Sequence, residues 1–471
     1  MTAPAHAGGA GLRAAFAEVD ITPAPGLRLA GMPSAPVATG VHAPLHGRVA
    51  LLDDGAARVA IVVVDVMVLE SPTVAAWRAA LATAGGLEPA DVIVSCTHTH
   101  RAPHAAARLD LDRDDDYLDF ALERLAGAMR EAAAALRPAE LRVGGAQAPG
   151  WSFSRRPLYR DGTVGSAGPE WVEEFERPEG PVDHELQVLF ALDAESGATL
   201  GGLVSFACHP TVVHDEAVYS ADFAGPLTAA LARRHGGVFG FLQGASGDVG
   251  PNDMRVPGAL RQDVAHAERM GRALADAADV AIASARSVPA PRLRCAAKAL
   301  EIAQRRPTRE QVELARWYLA QAEGTVDEVD FTRRISGHAR TFYEPYPVIQ
   351  RWFAREAIGM WEWQRRSGTR VPADRVEVKA LALGDVALVA YPAEMFAAFG
   401  LRTKAQSPFA TTIVCGIANG WHGYAPTREA FEHGGYEPRL AYSSRLAPEA
   451  GDRMVAAALE LLGELRERGA D

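Results

Sequence analysis

The strongest constraint on this chain is a set of short apolar runs that never alternate with polar residues. The clearest is Arg58-Val-Ala-Ile-Val-Val-Val-Asp65, whose interior is dominated by β-branched side chains. A strand with one face in water alternates, so an unbroken run of strand length has to be covered on both faces. Asp91-Val-Ile-Val-Ser-Cys96, Gly201-Gly-Leu-Val-Ser-Phe-Ala207, Val238-Phe-Gly-Phe-Leu242, Val386-Ala-Leu-Val-Ala-Tyr391 and Thr411-Thr-Ile-Val-Cys415 share the character. Helices are expected between and around them, at Thr73 to Ala84, Asp115 to Leu136, Ala259 to Arg286 and Pro448 to Arg468. Asp53-Asp-Gly55, between Arg48-Val-Ala-Leu-Leu52 and the run from Arg58, is a hairpin signal. Interior strands mixed with helices predict an α/β fold: one large domain of mixed β-sheet layers flanked by helices.

The 471 residues would allow two or three average domains. The pattern instead predicts a loose terminus at 1–13, one domain over 14–471, and a helical insertion at 305–370 carrying Trp317, Trp352, Trp361 and Trp363. Residues 150–182, with Pro157, Pro169, Pro178 and Pro181, read as a long loop or flap. A net charge of −11 argues against a nucleic-acid partner, which needs clustered positive charge. No run is apolar enough to span a bilayer, and the first residues lack a charged and apolar leader pattern. A cytoplasmic location, no membrane partner and a small-molecule substrate are therefore expected, with a homo-oligomer left open. Four cysteines without a CxxC pair give no disulfide framework.

The segments leaving the interior strands carry the chemistry. The first run after the hairpin ends in Thr97-His98-Thr-His100, the second in Cys208-His209-Pro210, the third in Pro392-Ala-Glu394 and the fourth in Gly416 to Tyr424. In open α/β sheets ligands bind beyond the carboxyl ends of strands. Two or three imidazoles, a carboxylate and a phenol at one point suit Zn²⁺, with Mn²⁺, Fe²⁺ or Co²⁺ also able to occupy such donors. On an extended backbone His98 and His100 point the same way. Each residue also has a plainer reading: solvent-facing histidines, a turn residue, a helix-capping glutamate, a core tyrosine. Gln243 to Asn252, with Asp248 and Gly250, could turn backbone N–H groups toward an anion, or be a tight turn. Arg155 and Arg156 could hold a substrate carboxylate or carbonyl.

The ordered landmarks resemble the neutral, non-lysosomal ceramidase family of zinc amidases. They are Cys96-Thr-His-Thr-His100, Ser205-Phe-Ala-Cys-His-Pro210, Ser220-Ala-Asp222 with Gly225, Gly247-Asp-Val-Gly-Pro-Asn252, Pro392-Ala-Glu394 and Asn419-Gly-Trp-His-Gly-Tyr424, with Tyr436-Glu437 beyond. The resemblance implies that His98, His209, Glu394 and Tyr424 bind one zinc and that His100 stands beside the attacking water. It implies that Arg155 contacts substrate near the reacting centre and that Tyr436 stabilises the oxyanion. Gly250 stands where the family has a serine that matters for catalysis, which predicts little turnover of ceramide itself. The function expected is zinc-dependent cleavage of an amide in a small polar or acidic substrate. An esterase, lactonase or lyase on the same scaffold, and a non-catalytic binding relative, are the alternatives.

Overall fold

The computed structural model describes residues 11–469 apart from 32–33, 108–110, 166–173, 215, 254, 257–261, 290, 338–346, 367 and 369–371. Residues 1–10 of the expected terminus, Pro169 in the expected flap, and 259–261 of one expected helix lie outside them, as do 338–346 of the insertion. Residue Arg13 already opens a strand.

The first sheet is built from β1 (Arg13–Asp20), β2 (His46–Asp53), β3 (Arg58–Val64), β4 (Val92–Cys96), β5 (Arg137–Gln147), β6 (Glu185–Asp193), β7 (Thr199–Phe206) and β8 (Val238–Gln243). Its order is β8-β7-β6-β5-β1-β2-β3-β4, with the two-residue strand Arg286–Ser287 added beside β5. The hairpin between β2 and β3 forms as expected, from Gly47 opposite Val64 to Asp53 opposite Arg58. Its turn is held by the Asp53 and Asp54 carboxylates, which accept the backbone N–H groups of Gly55, Ala56 and Ala57. A second sheet, β9 (Leu293–Ala303), β10 (Ala373–Leu383), β11 (Val386–Ala390) and β12 (Thr411–Cys415), runs in that spatial order.

The β3 run shows why the fold is layered. Val59, Ile61 and Val63 enter the core shared with Leu381, Leu383, Val386, Leu388 and Ile413 of the second sheet. Ala60, Val62 and Val64, on the opposite face, pack under helices α1 (Ser71–Gly85) and α2 (Asp115–Ala134). Helices α3 (Ala224–His235) and α4 (Val264–Ala283) cover the other half of the first sheet. Gly144 on β5 lets α4 come so near that a Cβ there would lie 1.9 Å from the Ala281 carbonyl oxygen. Three helices, α5 (Arg309–Ala320), α6 (Glu328–Ser336) and α7 (Pro347–Arg366), stand between β9 and β10 around their own small core of Ala315, Tyr318, Phe331 and Ala354. Helix α8 (Ala397–Gln406) and α10 (Ala450–Glu467) cover the outer face of the second sheet, and α9 (Arg428–His433) lies in the loop before α10. The architecture is thus a mixed α/β fold with two sheets face to face between helical layers. Among the described residues no helix is long and apolar enough to cross a membrane.

Three strand–helix–strand units matter most: β3-α1-β4, β7-α3-β8 and β11-α8-β12, each with its strands paired parallel. Parallel pairing puts the carboxyl ends of each pair side by side. The segments leaving those ends are the ones that hold the histidines, Glu394 and Tyr424.

Candidate metal centre

Strand β4 stops at Cys96, and the backbone then turns sharply. The Thr97 N–H donates to the Val64 carbonyl and the His98 N–H to that of Val66, both at 3.0 Å. His98 adopts a left-handed φ of 68°, a conformation that costs a non-glycine residue about 1–2 kcal/mol. The two rings of the His-Thr-His segment do converge, but the pleat does not aim them. The turn at His98 does, with their Nε2 atoms 3.5 Å apart. Gly31, at φ 83°, leaves room for the His100 ring, since a Cβ there would lie 2.3 Å from Nδ1.

His209 leaves β7 and donates its backbone N–H to Val249. Glu394 follows β11 in a short parallel pairing with Tyr424. The loop after β12 is sewn to β4: the Cys96 N–H donates to Ile417, and the Asn419 side-chain oxygen accepts the Val94 N–H at 3.0 Å. That stitching carries Glu394, Trp421 and Tyr424, from the second sheet, to the histidines of the first.

The His98 Nδ1–H donates to the Met67 carbonyl at 2.9 Å, and the His209 Nδ1–H donates to that of Ser246 at 2.8 Å. A carbonyl only accepts, so each ring carries a proton on Nδ1, and a ring with no second proton turns a bare Nε2 lone pair inward. The two Nε2 atoms lie 3.1 Å apart, and the Glu394 Oε2 atom is 3.5 Å from one and 3.3 Å from the other. Oε2 is buried without a hydrogen-bond donor, while Oε1 accepts the Trp421 indole N–H at 2.9 Å. Converging acceptors with no proton between them repel unless a cation sits among them. The buried group of His98, His100 and His209 could hold a metal ion, their ligand atoms all lying within 4.8 Å of one another. The donor chemistry, imidazole with carboxylate, fits zinc.

Electrostatics keep two of the rings, His209 and His100, unprotonated. Burial, with help from the Arg155 charge, pushes the His209 ring down to about 3, and burial holds His100 well below the ordinary histidine value. The Tyr424 phenol is pushed well above its ordinary value by burial and by the Glu394 carboxylate.

His98, His100, Glu394, Tyr424 and Tyr436 line one cavity. The His209 ring stacks on that of Tyr424 at 6.4 Å, and the Tyr436 ring lies 6.0 Å from Tyr424. Arg155 stands behind the phenol and donates to Tyr424 Oη at 3.1 Å, to Gly247 O at 2.7 Å and to Glu437 at 2.8 Å. Arg156 is turned away and fully buried, its guanidinium donating to Glu437, Glu179 and the Gly434 carbonyl. Neither arginine is among the residues that line the cavity. Gly250 pairs with Phe153 in a two-residue bridge, and a Cβ there would meet Arg155 only at ordinary contact distance, 3.8 Å. Sequence reasoning did not reach Trp421, Ser246, His104 or Glu356, because their roles depend on loop paths and helix docking.

The Asp248 carboxylate turns to the start of α8, where it accepts the Ala397 N–H at 2.7 Å. Burial pushes this carboxyl up to about 7, against about 3.9 for a free aspartate. Between those values the folded chain keeps a proton that the unfolded chain has released. The contribution of Asp248 to stability is therefore full below about pH 4 and falls as pH rises toward about 7, by up to about 1.4 kcal/mol per pH unit. Asp248→Asn keeps an acceptor for Ala397 and is expected to flatten that slope, gaining on the parent as pH rises. Thermal midpoints of both proteins across this window check it, and parallel curves would refute it.

No family model matches the sequence, and no curated protein matches it. The structure superposes on neutral ceramidase from Pseudomonas aeruginosa with a TM-score of 0.70 at 19% identity, covering 97% of this chain and 75% of that one. A ceramidase complexed with C2 matches with the same TM-score at 17% identity, over 97% and 76% of the two chains. At such identity the likeness shows the fold: the chain has a ceramidase-like fold.

Proposed function

We propose that this protein is a zinc-dependent amidohydrolase that cleaves an N-acyl bond in a small polar substrate. The observation that carries the reading is the convergence of three potential ligand atoms, His98 Nε2, His209 Nε2 and Glu394 Oε2, packed within 3.5 Å. His98, His209, Glu394 and Tyr424 would hold the ion, the set that the family resemblance of the sequence implies. A zinc ion held there supplies Lewis acidity toward a carbonyl oxygen and acidifies water.

The chain's own groups supply the rest. Met67 O and Ser246 O fix the two ring orientations, and Trp421 holds the second oxygen of Glu394. His100, kept neutral by burial, can accept a proton from water at Nε2 and return it to the departing amine. Tyr436 lines the same cavity and can donate its phenolic proton to a developing oxyanion. Arg155 orients Tyr424 from behind.

The test pairs metal analysis with a substrate panel of N-acyl amides, esters, lactones and a short-chain ceramide. The expected result is close to one zinc per chain, amide turnover that a chelator removes and zinc restores, and little ceramide turnover. Full rate in metal-free protein would overturn the reading, as would zinc-loaded protein that turns over nothing on the panel. Preference for esters or lactones would move the assignment to the alternative chemistry.

A further inference from the structure

The loop that brings Tyr424 to the candidate metal centre carries one buried side chain that the chemistry above does not use. Between β12 and Tyr424 the backbone takes a path that few residues tolerate, with left-handed φ of 54° at Ile417 and 63° at Asn419. Such a path persists only where its surroundings fix it. On its inner side main chain does the fixing. The His422 N–H donates to the Pro392 carbonyl and the Gly423 carbonyl accepts the Glu394 N–H, both at 2.9 Å. On its outer side the His422 ring does so. Its Nδ1 lies 2.7 Å from Asp374 Oδ2 on β10, and its Nε2 lies 3.1 Å from Ser71 Oγ, on the residue that opens α1. The Asp374 carboxylate, paired with Arg445, only accepts, so Nδ1 is the donor. The Ser71 hydroxyl can give or take a proton, so the second contact suits either state of the ring. Gly420 lets the loop come this close to α1, since a Cβ there would lie 2.4 Å from Ser71 Oγ.

The two ends of that bridge belong to different layers. Helix α1 covers the first sheet, whereas β10 is a strand of the second. Asp374 is itself held, because Arg445 donates to its Oδ2 at 2.9 and 2.7 Å and Gln304 donates to its Oδ1. His422, Asp374 and Arg445 are all buried, and a buried polar network whose members are paired specifies one arrangement. The residues around His422 are the ones that meet the metal donors. Trp421 donates to Glu394 Oε1 at 2.9 Å, and Tyr424 brings its phenol to the cavity. A ring tied at both nitrogens fixes the loop in two directions, which packing alone would not. Ser71, His422 and Asp374 stand in the order of a nucleophilic triad. Ser71, however, is not among the residues that line the cavity, and Arg445 already neutralises Asp374. The chain therefore braces the loop.

We infer that His422 is a positioning residue of the candidate metal centre: bridging Ser71 and Asp374, it places Tyr424 and Trp421, and through Trp421 the Glu394 carboxylate. The inference rests on the metal-binding part of the hydrolase reading, so its test reads metal and not turnover. Zinc affinity is measured against a competing chelator, and the visible absorption bands of the Co²⁺-loaded protein report ligand geometry. His422→Phe keeps the volume of the ring and removes both bonds. It is expected to weaken zinc by about 10–100-fold and to shift the cobalt bands. His422→Asn keeps an N–H for Asp374 and should recover part of the affinity. Ser71→Ala should lose part of it, with its cobalt bands moving in the same direction as those of His422→Phe. A ring that only packs would lower the urea midpoint and leave the folded protein with the parent's affinity and spectrum, so that result in His422→Phe overturns the inference. If His422→Phe misfolds, Ser71→Ala decides, and parental affinity and spectrum there overturn it. The hydrolase reading fails separately: zinc binding that depends on His422 in a protein that turns over nothing on the panel would sink the activity and leave the positioning role standing. A parent protein that binds neither zinc nor cobalt would sink both.

Discussion

On the proposed hydrolase reading, replacing His209 by alanine is expected to empty the candidate metal centre and to lower amide turnover by about a thousandfold or more. The ring sits at the middle of the acceptor cluster, 3.1 Å from His98 Nε2 and 3.3 Å from Glu394 Oε2. Without it a cation keeps His98 and Glu394 on one side and faces a void on the other. Lewis-acid stabilisation of a developing oxyanion is worth several kcal/mol, and each 1.36 kcal/mol is a factor of ten in rate. A purely structural histidine would behave differently. His209 also donates Nδ1–H to Ser246 O, so alanine removes a buried hydrogen bond worth about 1 kcal/mol. His209→Asn separates the two roles, because its amide N–H can still reach Ser246 while no Nε2 lone pair remains. Both variants should fold by circular dichroism, and both should lack zinc by mass spectrometry. Full metal and full rate in either would remove His209 from the site.

The parts of this site that could be read in the sequence are those attached to unbroken apolar runs. His98, His209 and Glu394 each follow a run that must be an interior strand, and the carboxyl ends of parallel interior strands share an edge. Alternation of burial between the two cores along β3 then gives the layering. Long strands of mixed polarity were not legible in the same way. Strand β5 carries Pro138 and a Gly144-Gly145 pair, signals that ordinarily break strands, and tertiary packing under α4 overrides them. Arg155 and Arg156 are adjacent and identical in sequence, yet one backs Tyr424 and the other is spent on Glu179 and Glu437. Only the backbone path separates them. The insertion was legible as helices rich in tryptophan, but not in which tryptophan meets the cavity: Trp352 does, whereas Trp317 is largely exposed.

The network behind Tyr424 should matter for stability as much as for metal binding. Glu437 is fully buried and accepts from Arg155 at 2.8 Å with one oxygen and from Arg156 at 2.6 Å with the other. Exposed ion pairs contribute little, but removing one partner from a buried pair leaves a charge with neither water nor counter-ion. Arg156 would keep Glu179 and the Gly434 carbonyl. For Arg155 Glu437 is the carboxylate partner among the described residues, and with glutamine in its place the guanidinium keeps neutral acceptors alone, Gly247 O, Tyr424 Oη and one amide oxygen. Glu437→Gln is therefore expected to destabilise the chain by about 3–5 kcal/mol, read as a lower unfolding midpoint in urea. The charge left over sits directly behind the Tyr424 phenol of the candidate metal centre. Loss of an orienting partner of this kind typically weakens metal affinity by about 10–100-fold. Zinc affinity of the folded variant should fall with its stability, and an unchanged urea midpoint would mean that water reaches Arg155 and that the network is not sealed.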